Sequence, residues 1–319
     1  MQIKRLLPVA YLASLVLSTS AQPGFADDLR SRLAGDGGAA RPAMEGSSSR
    51  CPQNADGTFC WMSPDVGTAW ASGYNGSGVS VTIIDDFTGN MGQVGDLGHG
   101  SQWRRHGQWV AQAAGMVAPG ANITELDYSE QVPLTLKQGL NVINLSYGLN
   151  EPVSEYRLEQ SIVDAARAGA AVFTKAAGNG SVAVDTLADG DIDFLALDLI
   201  GRQSAIFVGA LERNGTPENK AKLASYSNYA GSDSEVQNHF LTVGVESDKT
   251  GLTGTSVAAS VVAGYAAILG SKFTSATPTQ ITNQLLDTAR TDTLINYDAA
   301  TYGHGEASLS RALAPVSIR

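Results

Sequence analysis

Short runs of apolar residues recur along the chain, and glycine-rich or polar stretches separate them. Runs of this length that contain many β-branched or aromatic residues are typical of strands buried on both faces of a parallel sheet. The pattern predicts strands at residues 79–84, 123–126, 142–145, 170–174, 205–208 and 241–245.

Apolar residues at helical spacing alternate with these strands and predict helices at residues 106–116, 154–168, 256–270 and 278–289. The third of these helices is apolar on every side, so we expect it to be buried inside the domain. Alternating strands and helices favour the α/β class. We therefore predict a single domain with a mostly parallel twisted sheet and helices on both faces.

Polar residues of the kinds used in catalysis stand directly at the ends of these elements. Asp85 follows the first predicted strand, at the sheet edge where α/β proteins place their sites. His106 opens the first predicted helix, and Asn179 lies just beyond the fourth strand. Ser256 begins a helix, whose first N–H groups have no partner in the helix and favour negative charge.

Two of these residues have neighbours that compete for the same role. Asp86 is an alternative to Asp85, but Asp85 is the one that directly follows the apolar strand. His99 is an alternative to His106, since each precedes a glycine, but only His106 leads into a helical pattern. The remaining histidines match no catalytic pattern and are interpreted as structural: His239 and His304.

Aspartate, then histidine, then serine is the chain order of subtilisin. Five stretches match that family in order: VTIID at 81–85, HGQWVA at 106–111 with VAPGA at 117–121, VINLSYG at 142–148, AGN at 177–179 and GTSVA at 254–258. Over residues 61–316 the chain therefore resembles the subtilisin-like serine proteases (subtilases), and residues 302–315 resemble the closing segment of autotransporter members in particular. It departs from the family pattern at Asp86, Phe87, Ser260 and Val261.

The resemblance implies a subtilisin-like fold and a role for each matching residue. Ser256 would be the nucleophile, His106 its base and Asp85 the group that orients the base, with Asn179 in the oxyanion hole. The implied substrate-binding residues are Ser146, Tyr147, Gly148, Ala177 and Gly178. We expect a serine endopeptidase that hydrolyses peptide bonds through an acyl-enzyme. The alternatives are an esterase or peptide ligase with the same triad, and a catalytically silent binding protein.

The first residues are typical of a secretory signal. Lys4 and Arg5 precede an apolar stretch, and small residues that suit cleavage follow, so residues 1–26 are interpreted as a signal peptide. Residues 27–60 are expected to be a flexible lead-in, too short for the inhibitory prodomain that many subtilases carry, and residues 61–316 the catalytic domain.

Cys51 and Cys60 lie in this lead-in, and we expect them to form a disulfide, with two free thiols as the alternative. Closing so short a loop would contribute about 2 to 3 kcal/mol on the chain-entropy model.

Charge narrows the choice of partners and location. The chain has 21 basic and 31 acidic residues, and a cleaved signal would remove two of the basic ones. This balance argues against nucleic acid and anionic membranes as partners. We expect a monomer that acts on polypeptides, secreted from a bacterium or retained in its periplasm.

Metal binding is not required for the predicted chemistry. Four nearby carboxylates could hold a structural calcium ion, although a solvated acidic loop is the favoured interpretation. They are Asp185, Asp189, Asp191 and Asp193.

Lys175 ends an apolar strand, where a charge is costly unless it is paired. We interpret it as a paired structural lysine, with a role in substrate selection as the alternative.

Overall fold

A computed structural model describes residues 51–90, 92–187, 190 and 192–318 of the chain. The predicted signal peptide and the lead-in up to residue 50 lie outside the described residues. So do Asp189 and Asp191, two of the four carboxylates considered for calcium.

The core of the domain is a six-stranded parallel sheet. Its strands are β1 (Ser80–Asp85), β4 (Asn122–Asp127), β5 (Asn141–Leu145), β6 (Val172–Ala176), β7 (Ala205–Leu211) and β8 (Phe240–Gly244). Their order across the sheet is β4–β1–β5–β6–β7–β8. Each strand begins within two residues of its prediction, because continuous apolar runs mark strands covered on both faces.

Helices pack against both faces of this sheet, which confirms the predicted α/β fold class. The longer ones are α1 (Pro64–Ala71), α2 (His106–Val117), α3 (Arg157–Arg167), α7 (Thr255–Lys272) and α8 (Pro278–Asp287). The shorter ones are α4 (Phe194–Leu199), α5 (Ser234–Gln237), α6 (Ser247–Thr250), α9 (Ala299–Tyr302) and α10 (Leu309–Leu313). Helices α2, α7 and α8 share one hydrophobic cluster with the sheet, whereas α3 and α4 belong to the cluster on the opposite face.

The predicted helix at 154–168 begins later than expected. A single 3-10 turn, Val153–Glu155, comes first, and Tyr156 then has extended backbone torsions before α3 starts. The buried side chains of α3 lie three or four positions apart, which is why the helical period was visible in the sequence.

Helix α7 is buried along nearly its whole length, as its uniform apolar composition predicts. Every residue from 255 to 270 is buried. It packs against α2 on one side and against β5, β6 and β7 on the other. The two helices approach tightly at Gly264, where an added methyl group would lie 2.6 Å from the Val117 Cγ1 atom.

Two features between the core strands were not predicted. Strands β2 (Gly92–Gly95) and β3 (Gln102–Arg105) form an antiparallel hairpin, and β3 runs directly into the first residue of α2. Between β4 and β5, residues 132–138 have no regular secondary structure. Two N–H groups of that segment are bound by side chains, Leu134 by Ser161 and Lys137 by Asn141.

A short N-terminal loop is attached to the domain near the hairpin. The predicted disulfide between Cys51 and Cys60 is confirmed, with the two Cα atoms 5.2 Å apart. The Trp61 indole N–H donates to the Leu97 carbonyl at 3.0 Å, and the Phe59 ring fills the space above Gly98. Among the residues described, no helix is long and apolar enough to cross a membrane.

The α2–α7 contact gives a prediction about stability. We expect Gly264→Ala to lower the free energy of unfolding by about 1 to 2 kcal/mol, because overpacking against Val117 outweighs the gain in helix propensity. Urea denaturation measures this difference.

The matched control is Gly115→Ala in α2. The nearest atom to the added methyl group there is Ile123 Cγ1, at an ordinary 3.5 Å, so the same change should raise stability by about 0.5 to 1 kcal/mol. Equal effects of the two substitutions would show that close packing at Gly264 does not decide the outcome.

Candidate active site

Asp85 and His106 are brought together at one end of the sheet. Asp85 is the last residue of β1 and is buried, while His106 is the first residue of α2. The His106 Nδ1 atom lies 2.6 Å from Asp85 Oδ1, and the N–H of Gly107 donates to the Asp86 carbonyl at 3.1 Å. This backbone bond ties the start of α2 to the end of β1, so both partners of the 2.6 Å contact are held by regular structure.

The electrostatics of this pair favour a protonated ring. Desolvation lowers the pKa of His106, but the charge and hydrogen bond of Asp85 and the charge of Asp86 outweigh it. The net result is a His106 pKa above its ordinary value of 6.5. The imidazole is therefore a stronger base than an isolated histidine, and its side chain is still 32% exposed.

The competing residues have other contacts. The Asp86 carboxylate accepts the N–H of Gly89 at 2.6 Å and so closes a turn. The His99 ring packs edge-on against Phe59, with centroids 5.2 Å apart. His239 is buried, and burial lowers its pKa, whereas His304 Nε2 lies 3.1 Å from the Asn238 carbonyl oxygen.

Ser256 lies in the first turn of α7 and is 6% exposed. Gly254 precedes the helix with φ of 115°, a backbone conformation that side-chain-bearing residues rarely adopt. The Ser256 hydroxyl donates to the Ser146 carbonyl at 3.2 Å, and the Ser146 hydroxyl donates to the Ser256 carbonyl at 3.1 Å. In this state the Ser256 hydroxyl is bound to main chain instead of to the His106 ring.

Asn179 lies beside the same helix start. Its Oδ1 atom accepts the Thr255 N–H at 2.9 Å and the Thr255 hydroxyl at 3.2 Å. With the carbonyl end of the amide engaged in this way, the Nδ2 donor is left for a ligand. Donors placed around a helix N-terminus can stabilise an oxyanion that forms on a substrate bound to Ser256.

Asn228 supports the Asn179 loop, although no sequence motif indicates this role. Its Nδ2 donates to the Ala177 carbonyl at 2.9 Å, and its Oδ1 accepts the Gly180 N–H at 2.8 Å. It thus spans Gly178, where φ is 106° and an added Cβ would lie 2.4 Å from Asn228 Nδ2. Asn228 is 49 residues from Asn179 in the chain, so no local motif links the two.

The segments predicted to bind substrate continue from neighbouring strands. Ser146, Tyr147 and Gly148 follow β5, while Ala177 and Gly178 follow β6. Ser146 is buried and Gly148 is exposed, so the accessible part of the first segment is largely main chain at Gly148. The Tyr147 hydroxyl donates to Glu159 at 2.9 Å; burial, followed by the Glu159 charge, raises the pKa of Tyr147 well above its ordinary value.

The prediction that Lys175 is paired is confirmed. Its Nζ atom lies 2.7 Å from Asp193 Oδ2, and the lysine side chain is 1% exposed. Asp193 also accepts the N–H groups of Leu149 and Ala196, so this carboxylate is fully engaged within the protein.

Among the described residues, no group of three or more histidine, cysteine or acidic side chains is arranged to hold a metal ion. The choice between a solvated acidic loop, the favoured interpretation, and a calcium site therefore stays untested.

Comparison with known proteins adds a family assignment. A family model described as the Subtilase family matches residues 88–305, well over half of the chain. The matched range contains His106, Asn179 and Ser256 and begins just after Asp85. None of the curated proteins matches the sequence.

Solved structures with the same fold include several proteases. The chain is 20% identical to proteases from Pseudoalteromonas arctica, with a TM-score of 0.54 over 84% of this chain and 99% of the other. It is 20% identical to fervidolysin from Fervidobacterium pennivorans, described as a keratinolytic enzyme related to subtilisin. The TM-score is 0.51, over 78% of this chain and 44% of the other. A psychrophilic protease is also 20% identical, with a TM-score of 0.50 over 73% of this chain and 92% of the other.

The Asp85–His106 contact predicts a pH profile for the reactivity of Ser256. Only neutral His106 can accept a proton, so labelling of Ser256 by a phosphonylating reagent should rise with pH, with a midpoint above 6.5. In Asp85→Asn the desolvation remains and the raising charge is lost, so the midpoint should fall below 6.5 while the maximal rate drops steeply. Labelling rates between about pH 5 and 9 test this.

Asp86→Asn is the control for general charge effects. Asp86 contributes the smallest of the raising influences on the pKa of His106, so its loss should move the midpoint only slightly. A midpoint that does not respond to Asp85→Asn would contradict the assigned pairing.

The Asn179 amide allows a donor to be removed without removing the acceptor. Asn179→Asp keeps an oxygen for the Thr255 N–H but has no Nδ2 donor, and Asn179→Ala removes both. We expect both variants to lose about 10² to 10³ in kcat, the cost of the equivalent change in subtilisin, with a smaller change in KM. Steady-state kinetics on a denatured protein substrate measure both constants. Full turnover by Asn179→Asp would exclude Nδ2 as an oxyanion donor.

Proposed function

The chain belongs to the subtilase family and is a serine-type endopeptidase, and from this we propose that it is exported and cuts polypeptides through an acyl-enzyme on Ser256. The observation that carries the assignment of residues is the 2.6 Å contact between Asp85 and His106, at the end of β1; Ser256 contacts Ser146 at the end of the neighbouring strand β5. The start of α7 and the adjacent Asn179 amide support this assignment, because N–H donors of this kind can hold an oxyanion.

We assign each step to a group at the site. The Ser256 Oγ atom attacks the substrate carbonyl carbon as His106 takes the hydroxyl proton. The oxyanion is held by the Ser256 N–H and Asn179 Nδ2. Collapse of this intermediate breaks the C–N bond, and His106 returns the proton to the leaving amine. Water then attacks the acyl-enzyme carbonyl carbon as His106 takes a proton from it. Collapse of the second intermediate breaks the bond to Ser256 Oγ, which takes the proton back from His106, and the acid product leaves.

Substrate binding would also free the nucleophile. The Ser256 hydroxyl now donates to the Ser146 carbonyl, at the start of the proposed substrate-binding segment. A substrate strand that pairs with this segment brings a main-chain N–H to the same carbonyl and competes with the hydroxyl. Once displaced, the hydroxyl can turn to His106. Catalytic hydrogen bonds that form only in the complex are common in enzymes of this kind.

The expected substrates are extended polypeptides. Gly148 is exposed and Ser146 is buried, so recognition at this edge would depend on main-chain pairing more than on side-chain contacts. Ala177 and Gly178 would line the other side of the bound polypeptide, opposite Ser146 to Gly148, and their lack of side-chain bulk would leave room for it. The chemistry uses only groups of the protein itself and needs no cofactor.

The proposed organisation is a signal peptide at 1–26, a lead-in at 27–60 and the catalytic domain at 61–316. The Cys51–Cys60 disulfide supports an oxidising compartment, either the bacterial periplasm or the extracellular medium. We propose that the mature enzyme acts there as a monomer.

A fluorophosphonate probe tests the assignment of nucleophile and base. Purified mature protein should be labelled at Ser256, and labelling should be lost in Ser256→Ala and in His106→Ala, because the probe reacts only with an activated hydroxyl. Mass spectrometry locates the label.

The matched control is Ser260→Ala. Ser260 is a buried serine of the same helix whose hydroxyl donates to the Val257 carbonyl at 2.7 Å, so its loss should leave labelling intact. Folded wild-type protein that is never labelled, or a label on another serine, would overturn the proposed site.

A further inference from the structure

Three asparagines of the chain directly precede a glycine: Asn75, Asn179 and Asn214. Asparagine before glycine is the pair most prone to lose its side-chain amide, because the glycine nitrogen can attack the asparagine Cγ atom without hindrance from a Cβ atom. Water then opens the five-membered imide ring to aspartate or isoaspartate. Each pair is therefore a candidate site of self-modification.

Two of the three pairs are held inside the protein. The N–H of Gly76 donates to the Ser271 hydroxyl at 3.3 Å, and the N–H of Gly215 donates to Glu306 Oε1 at 2.8 Å. Both glycines are buried, and both acceptors are far away in the sequence. The fold therefore restrains these two nitrogens and shields them from solvent.

The third pair is the accessible one, since Asn179 and Gly180 are both exposed. The Gly180 N–H donates to Asn228 Oδ1 at 2.8 Å, and the same oxygen accepts the Val182 N–H at 3.2 Å. Asn228 is itself only 8% exposed, and its Nδ2 atom donates to the Ala177 carbonyl at 2.9 Å. One buried side chain thus holds the nitrogen that would attack Asn179.

The carbonyl group of the Asn179 side chain is already polarised for such an attack. Its Oδ1 atom accepts the N–H and the hydroxyl of Thr255, in the first turn of α7, at 2.9 and 3.2 Å. Attack on Cγ would place negative charge on this oxygen, and donors at a helix N-terminus stabilise such charge. The restraint on the Gly180 nitrogen therefore controls whether the reaction proceeds.

We propose that Asn179 is a self-modification site of this enzyme and that Asn228 slows the modification by binding the Gly180 N–H. When that bond opens, base removes the N–H proton and the Gly180 nitrogen forms a bond to Asn179 Cγ. The Cγ–Nδ2 bond breaks, and Nδ2 takes a proton and leaves as ammonia. Water then opens the imide: cleavage of the ring bond at Cγ leaves aspartate, and cleavage at the main-chain carbonyl leaves isoaspartate.

Either product lacks the Nδ2 donor assigned to the oxyanion hole, so the modification should end turnover. This consequence rests on the proposed function, whereas the modification itself depends only on the contacts of Asn179, Gly180 and Asn228. The attacking nitrogen must be deprotonated, so the rate of modification rises with pH. The lifetime of the active enzyme in alkaline solution would then depend on Asn228.

Mass spectrometry after incubation in mildly alkaline buffer tests the proposal. The protein carries Ser256→Ala to prevent self-digestion. Its tryptic peptide 176–202 contains Asn179 as the only side-chain amide, and replacement of NH2 by OH raises the peptide mass. We expect Asn228→Ala to convert Asn179 about 3- to 10-fold faster than the parent protein, the factor that corresponds to the net contribution of one hydrogen bond. An unchanged rate would overturn the proposal.

Asn228→Asp is the matched control. Like Asn228→Ala it loses the bond to the Ala177 carbonyl, but it keeps an oxygen for the Gly180 N–H, so conversion should stay as slow as in the parent protein. Equal acceleration in both variants would show that loosening of the loop is responsible, and would overturn the proposal. So would equal acceleration at Asn75 and Asn214 in the same samples, because it would indicate general unfolding.

Asn228→Leu replaces the alanine variant if that variant does not fold, since leucine has nearly the shape of asparagine but no acceptor, and the same acceleration is expected. An activity measurement separates this proposal from the catalytic one. In the wild-type enzyme kcat should fall in proportion to the converted fraction of Asn179. Conversion without loss of activity would refute the assigned role of Nδ2 and support the modification, whereas conversion that does not respond to Asn228 refutes the present proposal alone.

Discussion

Helix α7 has no face suited to water, and the arrangement of the domain follows from that constraint. Its residues from 255 to 270 are all buried, between the sheet and α2. Since α2 starts at His106 and α7 carries Ser256 in its first turn, the packing that hides α7 also sets the separation of the proposed base and nucleophile. The core, more than any direct bond between the two residues, maintains their relation.

The sheet completes the site from three adjacent strands. Asp85 ends β1, Ser146 follows β5 and Asn179 follows β6, and these strands are neighbours in the sheet. Three pairs of residues attach the start of α7 to the ends of these strands: Ser146 with Ser256, Asn179 with Thr255, and Gly178 with Thr255. The strand ends, more than the conformations of the loops, position these residues. Residues far apart in sequence are therefore brought together at one edge of the sheet.

The parts that the sequence predicts are those determined by local patterns. The core strands are continuous apolar runs, and the residues at their ends could be assigned because parallel strands finish at one edge. The β2–β3 hairpin was missed because its strands have only four residues each and are mostly half-exposed, and because β2 begins and ends with glycine, which leaves no alternation to detect. Asn228 and Asp193 were missed as partners because their contacts depend on tertiary structure alone. The orientation of the Ser256 hydroxyl is likewise a property of the folded site.

A protease that cuts extended chains is also surrounded by copies of itself, so its own resistance to digestion depends on where its backbone is extended and accessible. The buried α7 offers nothing to such an attack. The segment from 132 to 138 does, since it is largely exposed, lacks regular structure and is held in part by the side chains of Ser161 and Asn141. Autolysis should therefore begin between β4 and β5, and the working lifetime of the enzyme depends on how firmly Ser161 and Asn141 hold that connection.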